Sequence, residues 1–388
     1  MNFFVADVQT GFGAFVAFYL AQLGWSKADV GLALAAEGIA GVLSQIPGGA
    51  LADWIKWKRG LTAVGILMIG VAALILALIP SFIAVFCAEI LHGLTAGVLT
   101  PAIGAISLGL VGRGGMSVRT GRNYRFAAAG NALTAGLMGA AGAYIAKSGI
   151  FLLAAALCIP SLIALGAIRG AEIDYVRARN AAAGERAGDI LRVRDLAKNR
   201  ALVLFAAAVV LFQFADASLL PMVGEEMATT AGARASVWMS GLIAAPQIVV
   251  ALLAPWVGYH SERKGRRPLL LLGFALEPIR AVLLAFTSGY GFLLVVQLLD
   301  GVSGAIIGVM TVIVVTDLTA GTGRFNLARG TVGALSGAAA ALSTAASGLL
   351  FQIFGSTVGF LALAVVAAGA TALLWTFINE TKPPKYED

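Results

Sequence analysis

The sequence predicts an all-α integral membrane protein, with twelve transmembrane helices in two pseudo-symmetric six-helix bundles. Three observations carry that expectation. Of 388 residues, 59% are hydrophobic and only 12% charged, with a mean hydropathy of +0.90. Apolar runs long enough to cross a bilayer recur along the whole chain, since about 20 residues at 1.5 Å each span the hydrocarbon core. Short acid–basic clusters also repeat at one fixed offset between the first and second halves. A soluble protein carries about a quarter of its residues charged, and disorder needs low hydrophobicity, so both classes are excluded. Cys87 and Cys158 sit inside apolar runs, which leaves no disulfide framework or thiolate cluster.

In chain order the spans are 2–23, 30–52, 61–80, 82–111, 124–147 and 150–168, then 201–223, 236–257, 268–288, 289–318, 326–353 and 356–378. Pro80-Ser81 separates the third from the fourth, and Ser288-Gly289 the ninth from the tenth. No basic residue precedes the first apolar run, and Asp7 and Gln9 lie within it, so it reads as a retained helix rather than a cleaved signal. The N-terminal bundle is expected over 1–168, a linker over 169–200, the C-terminal bundle over 201–378 and a tail over 379–388. The linker holds eight basic and five acidic residues; it reads as a tether or as an amphipathic helix near 186–198 on anionic lipid. Of 27 basic residues, all but Lys27, Lys147, Arg234 and Arg280 fall on one side of this topology, so the positive-inside bias puts both termini and the linker in the cytoplasm.

The halves repeat each other. Gly49 and Asp53, followed by Lys56, Lys58 and Arg59, match Gly258 and Glu262, followed by Arg263, Gly265, Arg266 and Arg267, at an offset of 209 (262 − 53). Asp7 and Asp216 share that offset. Glu89-Ile-Leu-His92-Gly93 corresponds to Gln297-Leu-Leu-Asp300-Gly301 at 208 (297 − 89). Because Asp216 comes later in its span than Asp7, the first helix is expected to lack about two turns at its cytoplasmic end relative to its counterpart.

The Gly-x-Leu-Ala-Asp loop with its basic cluster, repeated with Gly-Arg-Arg in the second half, resembles the signature of the major facilitator superfamily. The resemblance covers the whole chain and implies two bundles around a central cavity that opens alternately to each side. Lys56 stands where the family pattern usually has Gly. Glu89-x-x-His92-Gly93 stands where proton-coupled drug exporters often carry Arg-x-x-Gln-Gly, and Gly130, Gly136, Gly139 and Gly142 lack the proline of the antiporter motif.

In that frame Asp53 is expected to cap the positive N-terminus of a helix of the opposite bundle, with Lys58 and Arg59 holding the carboxylate or meeting lipid phosphate. Glu262, Arg263, Arg266 and Arg267 should act alike in the mirrored position, and Arg119, Arg122 and Arg125 should flank the turn before the fifth span. Acids at bilayer depth, Asp7, Glu37, Glu89, Asp216, Glu277 and Asp300, each cost roughly 2.5–3.5 kcal/mol at a helix centre and must face protein or a wet cavity. Glu277 and Arg280 pair at i,i+3. Glu89 with His92, and Gln297 with Asp300, should face each other across the pseudo-two-fold axis, where a midplane site is expected. With Glu37, Asp7 and Asp216 they form the candidate solute and proton path; His92 bonding Glu89 is the structural alternative.

The expected function is proton-coupled secondary transport by alternating access, with efflux of a cationic or amphipathic compound. Proton-linked uptake of a small nutrient, metal or metal chelate is one alternative. A transport-inactive membrane sensor or scaffold is another. The expected partners are a small solute, protons and bilayer lipid, without nucleic acid, and the working unit is a monomer. No cofactor or resident metal is expected, and no hydrolase or phosphate-loop pattern suggests an enzyme.

Overall fold

The structure, a computed structural model, describes residues 1–5, 16–17, 19–20, 23–144, 148–182, 196–230, 235–287 and 289–384. Asp7 and most of the 186–198 segment lie outside them. The helices are α1 (Lys27–Trp54), α2 (Lys58–Leu78), α3 and α4 (together Phe82–Tyr144), α5 (Gly149–Gly166), the short α6 (Tyr175–Ala178), α7 (Arg200–Thr230), α8 (Ala235–Lys264), α9 (Arg267–Phe286), α10 (Tyr290–Leu318), α11 (Phe325–Phe354) and α12 (Ser356–Phe377). Ser26 starts α1 as an N-cap, its hydroxyl accepting from Asp29 N–H at 3.1 Å.

Ten helical stretches among the described residues are long and apolar enough to cross a membrane. One of them, Phe82–Thr134, has 53 residues. That is about 80 Å of helix, more than twice the hydrocarbon thickness. Gly112, with φ 63° and ψ −175°, breaks it into α3 and α4, a conformation that glycine adopts without strain. That makes eleven spans among the described residues, and the first segment, described as helical at 2–5, 16–17 and 19–20, is the place of the twelfth. One boundary moves. The fifth span was expected from 124, with Arg119, Arg122 and Arg125 around a turn, but helix continues from residue 113 and carries all three arginines. A single glycine makes the break, so no loop is needed.

Each half has its own core. In the first, Ile69 and Leu76 of α2 pack with Val85 and Leu99 of α3 and Phe151 of α5. In the second, Phe205 and Phe212 of α7 pack with Phe274 of α9, Met310 of α10 and Leu374 of α12. Large apolar side chains such as Leu43, Ile163, Leu252, Val365 and Trp375 point outward, as a lipid-facing surface requires. Lipid gives helices no hydrophobic reason to associate, so small residues that allow close backbone approach do that work. A Cβ on Gly48 of α1 would lie 2.7 Å from the Gly97 carbonyl oxygen of α3.

The halves meet mainly through two helix pairs, α1 with α11 and α4 with α8. Both contacts use the same repeat positions. A side chain on Gly49 would strike the Asn326 carbonyl oxygen, and one on Gly330 that of Gln45. Likewise Gly258 meets Ser117 and Gly121 meets Ala254. Every equivalent pair differs by 209: 258 − 49, 254 − 45, 326 − 117 and 330 − 121. The sequence repeat is therefore a two-fold relation between the two interfaces.

Candidate functional site

Between the halves lies a cavity of about 510 Å³. Gln45 of α1, Thr100 of α3 and Tyr124 of α4 line it from the first half; Phe212, Gln213 and Asp216 of α7 and Arg329 of α11 line it from the second. A second cavity of about 280 Å³ shares Thr100, Tyr124, Val312 and Arg329 with the first and adds Asn2, Ser107, Asn123 and Asn131. Tyr124 and Arg329 thus stand between the two chambers.

Asp216 connects the larger cavity to a buried charge cluster. Arg280 Nη1 lies 2.7 Å from Asp216 Oδ1, 2.8 Å from Asp300 Oδ1 and 3.0 Å from Glu277 Oε1. Its Nη2 donates to Gln297 Oε1 at 3.3 Å, and Gln297 Nε2 donates to Asp300 Oδ2 at 3.1 Å. Arg280 and Glu277 are buried, whereas the Asp216 side chain keeps 26% of its surface open. One guanidinium therefore gathers acids from α7, α9 and α10. Three carboxylates this close resemble a metal-ligand set, but Arg280 supplies the central positive charge. Arg280 and Glu277 were expected to form a two-residue pair; Asp216, Asp300 and Gln297 complete it.

In the first half His92 Nδ1 lies 2.9 Å from Glu37 Oε1. His92 therefore pairs with α1, and not with Glu89 as in the structural alternative. Glu89 is fully buried, and neither carboxyl oxygen has a hydrogen-bond partner among the described residues. The expectation that Glu89/His92 and Gln297/Asp300 face each other across the axis needs correction. Gly93 packs on the Glu37 carbonyl and Gly301 on that of Pro246, so both polar faces turn toward their own half. The cavity instead receives Ala96, Gly97 and Thr100 of α3, with Gly304, Gly308 and Thr311 of α10.

At the face carrying the basic clusters, buried Asp53 accepts from Asn326 N–H at 3.1 Å, Asn326 Nδ2 at 2.8 Å and Leu327 N–H at 2.8 Å. Those two N–H groups belong to the first turn of α11, where intrahelical acceptors are missing. Lys58 is buried and donates to the Ala52 carbonyl, while Arg59 donates to Gly166 O at 3.1 Å. The mirrored copy differs, which corrects the second half of the expectation. The equivalents of Asn326 and Leu327 are Ser117 and Val118, which lie inside α4 because that helix already begins after Gly112. Their N–H groups belong to the helix ladder and are not free to be capped. Glu262 is met by Arg266 at 3.4 Å, and buried Arg266 reaches Asp317 at 3.1 Å and Ser261 O at 2.6 Å. Arg263 stacks on Tyr259, and Gly265, at φ 92°, makes the turn into α9. Glu380 of the tail caps that helix, accepting from Arg266 N–H at 2.8 Å and Arg267 N–H at 3.2 Å.

A sequence profile described as Major Facilitator Superfamily matches residues 1–275 and 205–388. The chain belongs to the major facilitator superfamily. As a transporter of this superfamily it is not an enzyme. An uncharacterized MFS-type transporter of Mycobacterium tuberculosis is 35% identical over 384 residues, covering 98% of this chain and 92% of the relative. The class B tetracycline resistance protein of Escherichia coli is 37% identical over 83 residues, 21% of this chain and 20% of that protein. Among solved structures, the E. coli fucose:proton symporter FucP superposes with a TM-score of 0.73 at 14% identity, covering 96% of each chain. A FucP structure in the outward conformation gives 0.74 at 12% identity over the same shares. At such identity the likeness is one of fold.

This superfamily member also uses residues that sequence reasoning passed over. The linker's described stretch, 169–182, is seated between the halves. Asp174 N–H donates to Gly109 O at 3.1 Å, the Tyr175 hydroxyl to Trp54 O at 3.2 Å and Asn180 Nδ2 to Thr316 O at 2.6 Å. Asn326 Nδ2 also donates to Ala178 O at 3.1 Å. No motif marks these linker positions. Gly121 and Gly330, by contrast, were findable at the same 209 offset as the acids.

Proposed function

We propose that the protein is a proton-coupled secondary transporter of a small amphipathic solute, working by alternating access as a monomer in the cell membrane. The observation that carries this reading is the double membership of Asp216, which lines the central cavity and belongs to the Arg280 cluster. A proton arriving at Asp216 weakens its hold on Arg280, so solute-site chemistry and the charge balance of α7, α9 and α10 change together. Asp300, Gln297 and Glu277 complete the proton site; Glu37, His92 and the unpartnered Glu89 form the corresponding relay in the first half. By the repeat, Asp7 is the counterpart of Asp216 and lies outside the described residues.

The cavity is apolar at Val209, Phe212, Ile307 and Val332 and polar at Gln45, Gln213 and Ser336, which suits an amphipathic solute. Asp216 is the acid of the cluster that lines the cavity, and Arg280 already meets it at 2.7 Å, so the cluster gives no separate reason for a cationic cargo. Export is the favoured direction. The bundles take 1–168 and 201–378, with the linker 169–200 and both termini in the cytoplasm, as the basic clusters favour. Asp53 then latches the cytoplasmic gate through α11. Gly49, Lys58 and Arg59 support that latch, and Gly258, Glu262, Arg263, Gly265, Arg266 and Arg267 support the mirrored contact.

A thermal-shift screen at an acidic and an alkaline pH, followed by flux of the hits in proteoliposomes, tests this reading. Flux should follow the proton gradient, stop with an uncoupler and lose its pH dependence in Asp216→Asn. Flux indifferent to the gradient would overturn it.

A further inference from the structure

Two arginines are set deep between the helices, and their surroundings are opposite. Arg280 is met by three carboxylates. Arg329, on the second turn of α11, has no ion pair among the described residues. Its Nη1 donates to the Thr100 carbonyl at 3.2 Å, and no carboxylate of the described residues lies within pairing distance. Arg329 is half-buried and lines both cavities, so its charge is presented to whatever occupies them. It is also the side chain best shaped to take a carboxylate through two parallel N–H groups.

The seat for Arg329 is built rather than incidental. Gly104 of α3 leaves the room its Nη1 occupies, since a Cβ there would collide with that atom. The neighbouring Gly330 is pressed against the Gln45 carbonyl, which fixes the backbone that carries Arg329. Arg329 lines both cavities beside Tyr124, whose ring lies against Gly308. It comes from the second half, while Thr100, Gly104 and Tyr124 come from the first. An anion bound to it would therefore touch both halves and lose contacts when they separate.

We infer that Arg329 is the recognition residue for an anionic group, of the carboxylate class, on the transported solute, held where the two chambers meet. This rests on the reading of the central cavity as the solute site. It adds that the amphipathic solute carries a negative end on Arg329 while its apolar part lies along Phe212 and Val332. The carboxylates of the Arg280 cluster remain free for the proton.

The test uses the purified full-length protein, with benzoate as probe at constant ionic strength and benzamide and benzylamine as neutral and cationic controls. Benzoate should raise the thermal midpoint more than either control. Arg329→Gln should weaken the benzoate response by about tenfold or more, the loss of a charge-assisted hydrogen-bond pair. Arg329→Lys should recover part of it. Gly104→Ala, which keeps the arginine but crowds its seat, should reduce the response and covers the case in which Arg329→Gln fails to fold. Equal responses to the three probes, or a benzoate response that survives in both Arg329→Gln and Gly104→Ala, would overturn the inference. The parent protein and Arg329→Gln separate the two readings: flux indifferent to the proton gradient, with a benzoate response in the parent that is still lost in Arg329→Gln, concerns only the proton site.

Discussion

Replacing Asp53 with Ala should open the gate between α1 and α11. The carboxylate is 1% exposed and accepts three hydrogen bonds, two from backbone N–H groups at the start of α11. Bonds to a charged acceptor contribute roughly 1.5–3 kcal/mol each, and the positive helix end adds up to about 1. Taking the carboxylate out of water offsets several kcal/mol of this. Truncation is costlier than that balance implies, because it leaves the Asn326 and Leu327 N–H groups buried without acceptors at roughly 1–3 kcal/mol each. A net loss of about 3 kcal/mol from the closed state is the working figure, near a hundredfold in the closed-to-open ratio. Asp53→Asn keeps an oxygen acceptor and should lose about half as much. Glu262→Gln should move the equilibrium least, since its side chain is 26% exposed and meets Arg266 only at 3.4 Å. Spin labels at Lys56 and Lys264, in a background without Cys87 and Cys158, read the distance between the halves by electron–electron double resonance. A distribution that broadens to longer distance in Asp53→Ala, partly in Asp53→Asn and hardly in Glu262→Gln is expected. Identical distributions in Asp53→Ala and the parent would refute the capping account.

Other outcomes follow from the same contacts. Gly49→Ala or Gly258→Ala places a methyl group against a backbone carbonyl that cannot rotate away, so each should cost the closed interface roughly 1–3 kcal/mol and lower cross-linking yield between the halves. Arg280→Met leaves Asp216, Glu277 and Asp300 without their shared cation and should destabilise the protein by about 3–5 kcal/mol in thermal denaturation; adding Glu277→Gln should restore part of that. Glu380 titrates below its ordinary range: burial pushes its carboxyl up, but N–H donors from Arg266, Lys382 and Arg267 outweigh that. Docking of the tail should therefore be fully stabilised above the ordinary glutamate value and lost as pH falls through the lower bound-state value. Amide protection factors at residues 379–382 should fall only under acid conditions in the parent, and already at neutral pH in Glu380→Gln.

The repeat was the most legible part of the sequence because identical chemistry at fixed spacing survives without alignment. Gly49/Gly258 and Asp53/Glu262 mark the two halves, and the contacts they make obey the same 209 offset. The helix ends were less legible. Arg119, Arg122 and Arg125 look like a loop to a hydropathy window, yet one glycine at 112 makes the break and the helix continues with its arginines. The partners of Arg280 were hidden for a different reason. Glu277 sits three residues away and accounts for the charge locally, whereas Asp216 is 64 residues distant and Asp300 is 20. Nothing in the sequence sets Arg329 apart from the other basic residues near helix ends, and its position between two cavities is a property of packing alone. The asymmetry of the gate also lay beyond sequence, since it depends on where α4 and α11 begin relative to equivalent residues.

Coupling between the cavity and the acid cluster is tested most directly by proton movement during solute flux. Proteoliposomes containing a pH-sensitive dye, the parent protein or Asp216→Asn, and the solute that best stabilises the purified protein would report it. In the parent, an imposed solute gradient should drive a change in internal pH that an uncoupler abolishes. In Asp216→Asn, solute should still bind while the pH change is lost. Solute flux without proton movement in the parent, or undiminished proton movement in Asp216→Asn, would contradict the account.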